Sequence, residues 1–164
     1  MVVTVLGLVV GRLHAETPAT PSPASTRYVY CNVYLTDACF GIARGDVLKM
    51  VLPADFVLRT VMLWNGTQVA IYEGNQPEDA FKGKTTQPCQ AAGDAHQCQY
   101  VLSSSQMDVL YQATANSQMI HLHITGITAT NRAGVADFLS GFHRCKAVGQ
   151  SEQCSDEHPF AGIH

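Results

Sequence analysis

Six cysteines and a short histidine row are the residues of this 164-residue chain whose types and spacing could do chemistry. The cysteines fall into three local couples: Cys31 with Cys39, Cys89 with Cys98, and Cys145 with Cys154. Such thiols can form disulfides, bind zinc or act as redox nucleophiles. Structural zinc prefers only a few residues between paired ligands, whereas seven or eight separate the members of each couple here. No C-x-x-C pair of the thioredoxin type is present. An even cysteine count in an exported chain reads as disulfides. Clustering favours 31–39, 89–98 and 145–154 among the possible connectivities, each bridge removing about 2–3 kcal/mol of unfolded-state freedom.

The histidine row is Met119, His121 and His123, an M-x-H-x-H pattern. On a strand the two imidazoles share one face, about 6.6 Å apart along it. Imidazole with thioether suits copper, but one strand cannot complete a site, and further ligands would have to come from His96 or His143. Half-exposed strand residues are the plainer reading, so these three remain weak metal candidates and no cofactor is expected. His158 and His164 fall in a tail expected to be solvent-exposed.

Catalytic signatures are missing. There is no G-x-S-x-G elbow and no glycine-rich phosphate loop. Asp37, Asp46, Asp55, Glu73, Glu78, Asp79 and Asp94 fall mostly in expected loops, where solvation explains them. Aromatic residues offer more. Tyr28, Tyr30 and Tyr34 would line one face of a first strand, a tyrosine-rich patch of the kind enriched at interfaces if nothing covers it.

The elements that must position these groups read as mostly β. Apolar residues make up 46% of the chain and charged ones 14%, against roughly 25% charged in an average domain, so a core can form and global disorder is excluded. The net charge of -3, with scattered Lys and Arg, argues against a nucleic-acid partner. Residues 1–15 open on the apolar run MVVTVLGLVV, too short to span a bilayer and fitting a secretory signal. Residues 16–26, with Pro18, Pro21 and Pro23, read as an extended linker. Strands are expected at Arg27 to Leu35, Asp46 to Leu52, Phe56 to Trp64, Thr67 to Glu73, Gln97 to Leu102 and Gln118 to Thr125. Asn65-Gly66 predicts a type I′ hairpin turn, and Gly74 to Pro88 a long loop. Ser103 with Gln106 resembles a capping box, and Met107, Leu110, Tyr111 and Thr114 have helical spacing. Asn131 followed by Val135, Phe138, Leu139 and Phe142 predicts a second helix. Residues 146–164 show no periodicity and read as an irregular tail. The expectation is a β-sandwich-like domain over residues 27–145, with about six strands and two short helices, stapled by disulfides.

This order of features resembles the invasion-associated locus B family of exported bacterial proteins. The residues that carry the likeness are Tyr28-Val29-Tyr30-Cys31, Cys39, the Leu48-Lys49-Met50-Val51-Leu52-Pro53 strand leading to Val57-Leu58, the couple Cys89 and Cys98, and Gly141-Phe142 in a final helix. The likeness covers roughly Arg27 to Phe142. It departs at Tyr28, where the family usually has Trp, and in the third cysteine couple. It implies a periplasmic or cell-surface β-sandwich-like domain, linked in some pathogens to host-cell invasion, with no catalytic residues to carry over.

Together these readings describe an exported, non-catalytic protein-binding domain whose partner is an envelope or host protein, with no membrane span after the leader. Two alternatives stand beside it. One is an inhibitor or immunity protein against a cell-wall enzyme or toxin, inserting the Gly74 to Pro88 loop into a cleft. The other is a periplasmic copper- or zinc-binding protein.

Overall fold

The computed structural model of this chain describes residues 31–75, 81–148 and 151–164. The expected signal, the linker, Tyr28 and Tyr30 lie outside the described residues. In chain order the elements are β1 (Val33–Tyr34), β2 (Ala38–Phe40), β3 (Val47–Val51), β4 (Val57–Met62), β5 (Gln68–Gly74), β6 (Gln87–Pro88), β7 (Gln97–Leu102), β8 (Gln106–Gln112), β9 (Met119–Thr125), α1 (Arg132–Ser140), β10 (His143–Val148) and β11 (Ser151–Cys154). They build two sheets. The larger has seven strands in the order β3-β4-β5-β9-β8-β7-β6, and the smaller runs β1-β2-β10-β11. The fold is mainly β and sandwich-like, with the three expected bridges 31–39, 89–98 and 145–154 in place.

Alternation decides which face of the large sheet is covered. Val61, Val69, Ile71, Met107, Val109, Tyr111, Ile120, Leu122 and Ile124 are all buried on its inner face. They join one core with Leu35, Ala38 and Phe40 of the small sheet region, Val135, Phe138 and Leu139 of α1, and Phe142, Phe160 and Ile163. Phe142 is the hub of this layer. Its ring lies 4.9 Å from Phe40, 5.4 Å from Phe138 and 5.0 Å from Phe160, while Tyr111 reaches Phe160 at 5.5 Å. Stacked and edge-on rings of this kind add to the burial of their own area.

Three expectations are corrected. The helix placed after Ser103 is strand β8. The Ser103 hydroxyl does accept the Gln106 N–H at 3.1 Å, as a capping serine would, but the Ser103 N–H donates to the Gln106 carbonyl at 2.8 Å. Those bonds close a tight hairpin between β7 and β8, so the described residues hold one helix and eleven strands where about six strands and two helices were expected. The β4–β5 turn is not type I′. Only Gly66 has a positive φ, at 85°; Gly66 N–H donates to Leu63 C=O at 2.9 Å and Leu63 N–H to Thr67 C=O at 2.8 Å. Trp64, Asn65 and Gly66 thus form a three-residue loop ending in a left-handed glycine. Finally, the segment after residue 145 is not irregular: β11 pairs with β10, and Phe160 and Ile163 enter the core. Asn131 precedes α1 as expected but makes no side-chain cap. Its amide instead ties the incoming loop, accepting from Thr128 N–H and donating to Gly126 C=O.

One charged pair sits on the inner face. Glu73 is buried and accepts from the Thr36 N–H, the Thr36 hydroxyl and, at 2.7 Å, Arg59 Nη1. Arg59 Nη2 donates onward to Tyr34 C=O at 3.2 Å. This network joins the turn between β1 and β2 to β4 and β5. Removing one member leaves the other charge buried without its counter-ion, which costs about 3–5 kcal/mol, whereas replacing both by apolar groups is far milder. Glu73→Ala is therefore expected to lose about 3–5 kcal/mol in urea unfolding, and Arg59→Leu with Glu73→Leu clearly less. Equal losses would show that the pair's charge is not what matters.

Candidate functional site

The outer face of the large sheet follows from the register, because residues directly opposite share a face. One row runs Lys49, Thr60, Ala70, His123, Asp108, Val101, and the next runs Val51, Leu58, Tyr72, His121, Leu110, Gln99. Over the middle of these rows lies a pocket of about 670 Å³. Phe56, Leu58, Ala70 and Tyr72 form its apolar wall; Lys84, Gln106, Asp108, His121 and His123 form the polar one, with Asp55 also lining it. Tyr72 and Phe56 rings lie 5.3 Å apart. Tyr72 folds over Gly74, where a Cβ would come 2.5 Å from its hydroxyl, so glycine leaves the space that ring occupies.

Asp108 organises the polar wall. Its Oδ1 meets His123 Nδ1 at 2.7 Å and His121 Nε2 at 3.1 Å, while Oδ2 faces Lys84 Nζ at 3.6 Å. Two imidazoles donating to one oxygen fix both tautomers when neutral: the open acceptor is Nδ1 on His121 and Nε2 on His123. Asp108 and His121 are buried, and the Phe81 ring lies 5.8 Å from His121. The His123 side chain remains 43% exposed, so its open edge is reachable from solvent. Burial alone would push the Asp108 carboxyl up, but the hydrogen bonds from His123 and His121 outweigh it and hold the group below its usual range.

The sequence placed His121 and His123 together, and they are together, on the face opposite Ile120, Leu122 and Ile124. It did not anticipate Asp108, because that residue fell inside the expected helix; read as an alternating strand, MDVLYQ puts Asp108 on the His face. Met119, His121 and His123 share the outer face of β9. Asp108, His121 and His123 do not bring their ligand atoms within 4.8 Å of one another, as Cys39, Cys145 and Cys154 do, and those three are consumed in bridges. His143 lies elsewhere, its ring 4.4 Å from His158, whose Nδ1 meets the Phe142 carbonyl oxygen at 3.1 Å. The described part of the Gly74 to Pro88 loop returns to the sheet through Phe81 and Lys84.

Among the described residues no strand pairs with the outer side of β3, so the sheet ends there at an open edge. All five residues of β3 are exposed, and four of them are apolar. Val47, Met50 and Val51 are each more than half exposed, as are Leu52 beyond the strand and Trp64 at the β4–β5 loop. Tyr34, from the expected tyrosine patch, is exposed on β1, in the smaller sheet. Among the described residues, no helix is long and apolar enough to cross a membrane.

A carboxyl depressed in the folded state contributes stability above its unfolded pKa, near about 4, and loses it as pH falls through the lower folded value. Asp108→Asn should thus unfold more easily than the wild type at pH 7, by about 1.5–3 kcal/mol for charge-assisted hydrogen bonds. That gap should shrink as pH drops below about 4. Denaturant midpoints of the two proteins across this range check it; a gap that is constant into acid would mean the Asp108 charge is not involved.

No family model, curated protein or solved structure matches the chain, so its own geometry carries the functional reading.

Proposed function

We propose that this chain is an exported, non-catalytic protein-binding domain of the periplasm or cell surface, and that its partner adds an extended segment to the free edge at β3. The exposed apolar edge strand carries this reading. An edge presents a row of backbone donors and acceptors to any incoming strand, and most proteins blunt it or cover it. Here β3 is long enough to pair and exposes Val47 and Val51 on one face and Leu48 and Met50 on the other. Strand addition then supplies affinity through the main chain and specificity through alternate side chains.

Lys49 sets the chemistry of the occupant. It is the one charge in β3 and stands between Val47 and Val51 on the outer face. Antiparallel pairing of two copies centred on this strand would set Lys49 against Lys49. An extended segment of another protein, with a carboxylate flanked by aliphatic side chains, answers both the charge and the apolar neighbours. Three disulfides fit an oxidising compartment, and the likeness to invasion-associated locus B proteins supports the same setting.

The test is amide hydrogen exchange on the chain with and without the partner captured from envelope or host-surface extracts. Protection should concentrate on residues 47–51 and leave β6, the opposite edge, unchanged. Val47→Glu with Val51→Glu should weaken binding at least about tenfold, a loss of about 1.4 kcal/mol, without lowering the melting temperature. Protection confined to other strands would overturn the proposal, as would a homodimer paired through β3.

A further inference from the structure

Two of the three bridges, distant in sequence, touch in space. Cys31–Cys39 enters the small sheet through β2, and Cys145–Cys154 crosslinks β10 to β11. Because β2 pairs with β10, Cys39 stands opposite His143, two residues from Cys145. The outcome is a contact of 3.4 Å between Cys39 Sγ and Cys154 Sγ, with the Cys145 sulfur within 4.8 Å of both. Reacting atoms about 3–3.5 Å apart are at the separation of a near-attack geometry. Cys39 and Cys145 are buried, Cys31 is half-buried and Cys154 is exposed.

We propose that these four cysteines form a thiol-exchange site, at which Cys31 captures an external thiol and the exchange passes through Cys39 to Cys154. The external thiolate attacks Cys31 Sγ. A mixed disulfide forms there, the Cys31–Cys39 bond breaks, and the electron pair stays on Cys39 Sγ. That thiolate attacks Cys154 Sγ, forming Cys39–Cys154 and breaking Cys145–Cys154. The electron pair leaves on Cys145, which takes up the proton given up by the external thiol. Two disulfides and one thiol enter; two disulfides and one thiol leave, so no separate oxidant or reductant is needed.

The product bridge differs in kind from the ones it replaces. The starting bridges span 8 and 9 residues, whereas Cys39 and Cys154 are 115 apart. A crosslink closing a longer loop restricts the unfolded chain more, so the exchanged form resists unfolding more than the starting one, while the exchange itself is set by the sulfur contact in the folded protein. Cys89–Cys98 has no part in this cluster and serves as an internal control.

The Cys31→Ser variant isolates the second step, since it leaves Cys39 as a thiol beside Cys154. Peptide mapping under non-reducing conditions, with free thiols alkylated first, should find Cys39 joined to Cys154 and the alkyl group on Cys145. Finding Cys145–Cys154 retained and Cys39 alkylated would overturn the proposal. Should that variant not fold, the wild type decides the matter. Incubated with glutathione, it should carry the adduct on Cys31 and the free thiol on Cys145, with Cys89–Cys98 intact. An adduct on Cys31 with the free thiol on Cys39, or no adduct on Cys31, is the opposing result.

Discussion

A carboxylate on the inner face of a large sheet must be met by donors brought to it, and Glu73 imposes that requirement on this fold. Its neighbours in the same row include Ile120 and Tyr111, which offer it no charge. Arg59, from the adjacent strand, supplies the counter-ion, and Thr36 supplies two donors from the turn of the small sheet. The consequence is positional. With Thr36 and Tyr34 held against β4 and β5, β2 is placed beside the core, and Phe40 stacks into the Phe142 cluster. The small sheet, α1 and the C-terminal residues Phe160 and Ile163 then cover one face of the large sheet, and among the described residues no second layer covers the other.

Asp108 repeats the chemistry of Glu73 on that opposite face with a different result. Each carboxylate is buried and each takes several donors. Glu73 is answered by a guanidinium that is itself tied to the backbone, so its network is closed. Asp108 is answered by two imidazoles and one lysine, and His123 keeps an edge open to the pocket. A closed network holds elements together; an open one also presents groups to solvent. The difference arises from what the described residues place at each site: a second layer over Glu73, and Phe81 beside His121 with Lys84 beside Asp108.

Elements whose two faces differ in polarity were legible in the sequence. Ile120, Leu122 and Ile124 alternate against His121 and His123, and β9 follows. Val135, Phe138 and Leu139 repeat at helical spacing and α1 follows, but it ends at Ser140, so Phe142 of the same expected pattern lies beyond the helix. Strand β8 was not legible because it is buried on both sides: Met107, Val109 and Tyr111 point inward while Leu110 is buried outward. That adds an apolar residue out of phase and turns an alternating pattern into one that mimics a helix. Losing β8 also hid Asp108, hence the polar wall of the pocket. The hairpin at Asn65-Gly66 was located correctly, but its type depended on the register of Leu63 with Thr67, which pairing across strands decides and local residue preference does not. The tail lacked periodicity because its order comes from tertiary burial of Phe160 and Ile163.

The cysteines show the same division between local and non-local information. Pairing within each couple is favoured by short loop length, since neighbours eight or nine residues apart meet readily. Adjacency between couples does not: it requires β2 to pair with β10, a contact between the two ends of the chain that no short-range pattern encodes. The pairing of β2 with β10 rests in turn on the Glu73 network and the Phe40–Phe142 stack, which hold β2 in place. A buried ion pair on the inner face of one sheet therefore helps to position β2, the strand that carries Cys39 to the sulfur contact in the other. Weakening that pair should loosen the Cys39–Cys154 contact before it disturbs either short bridge, because each of those is held by its own covalent loop.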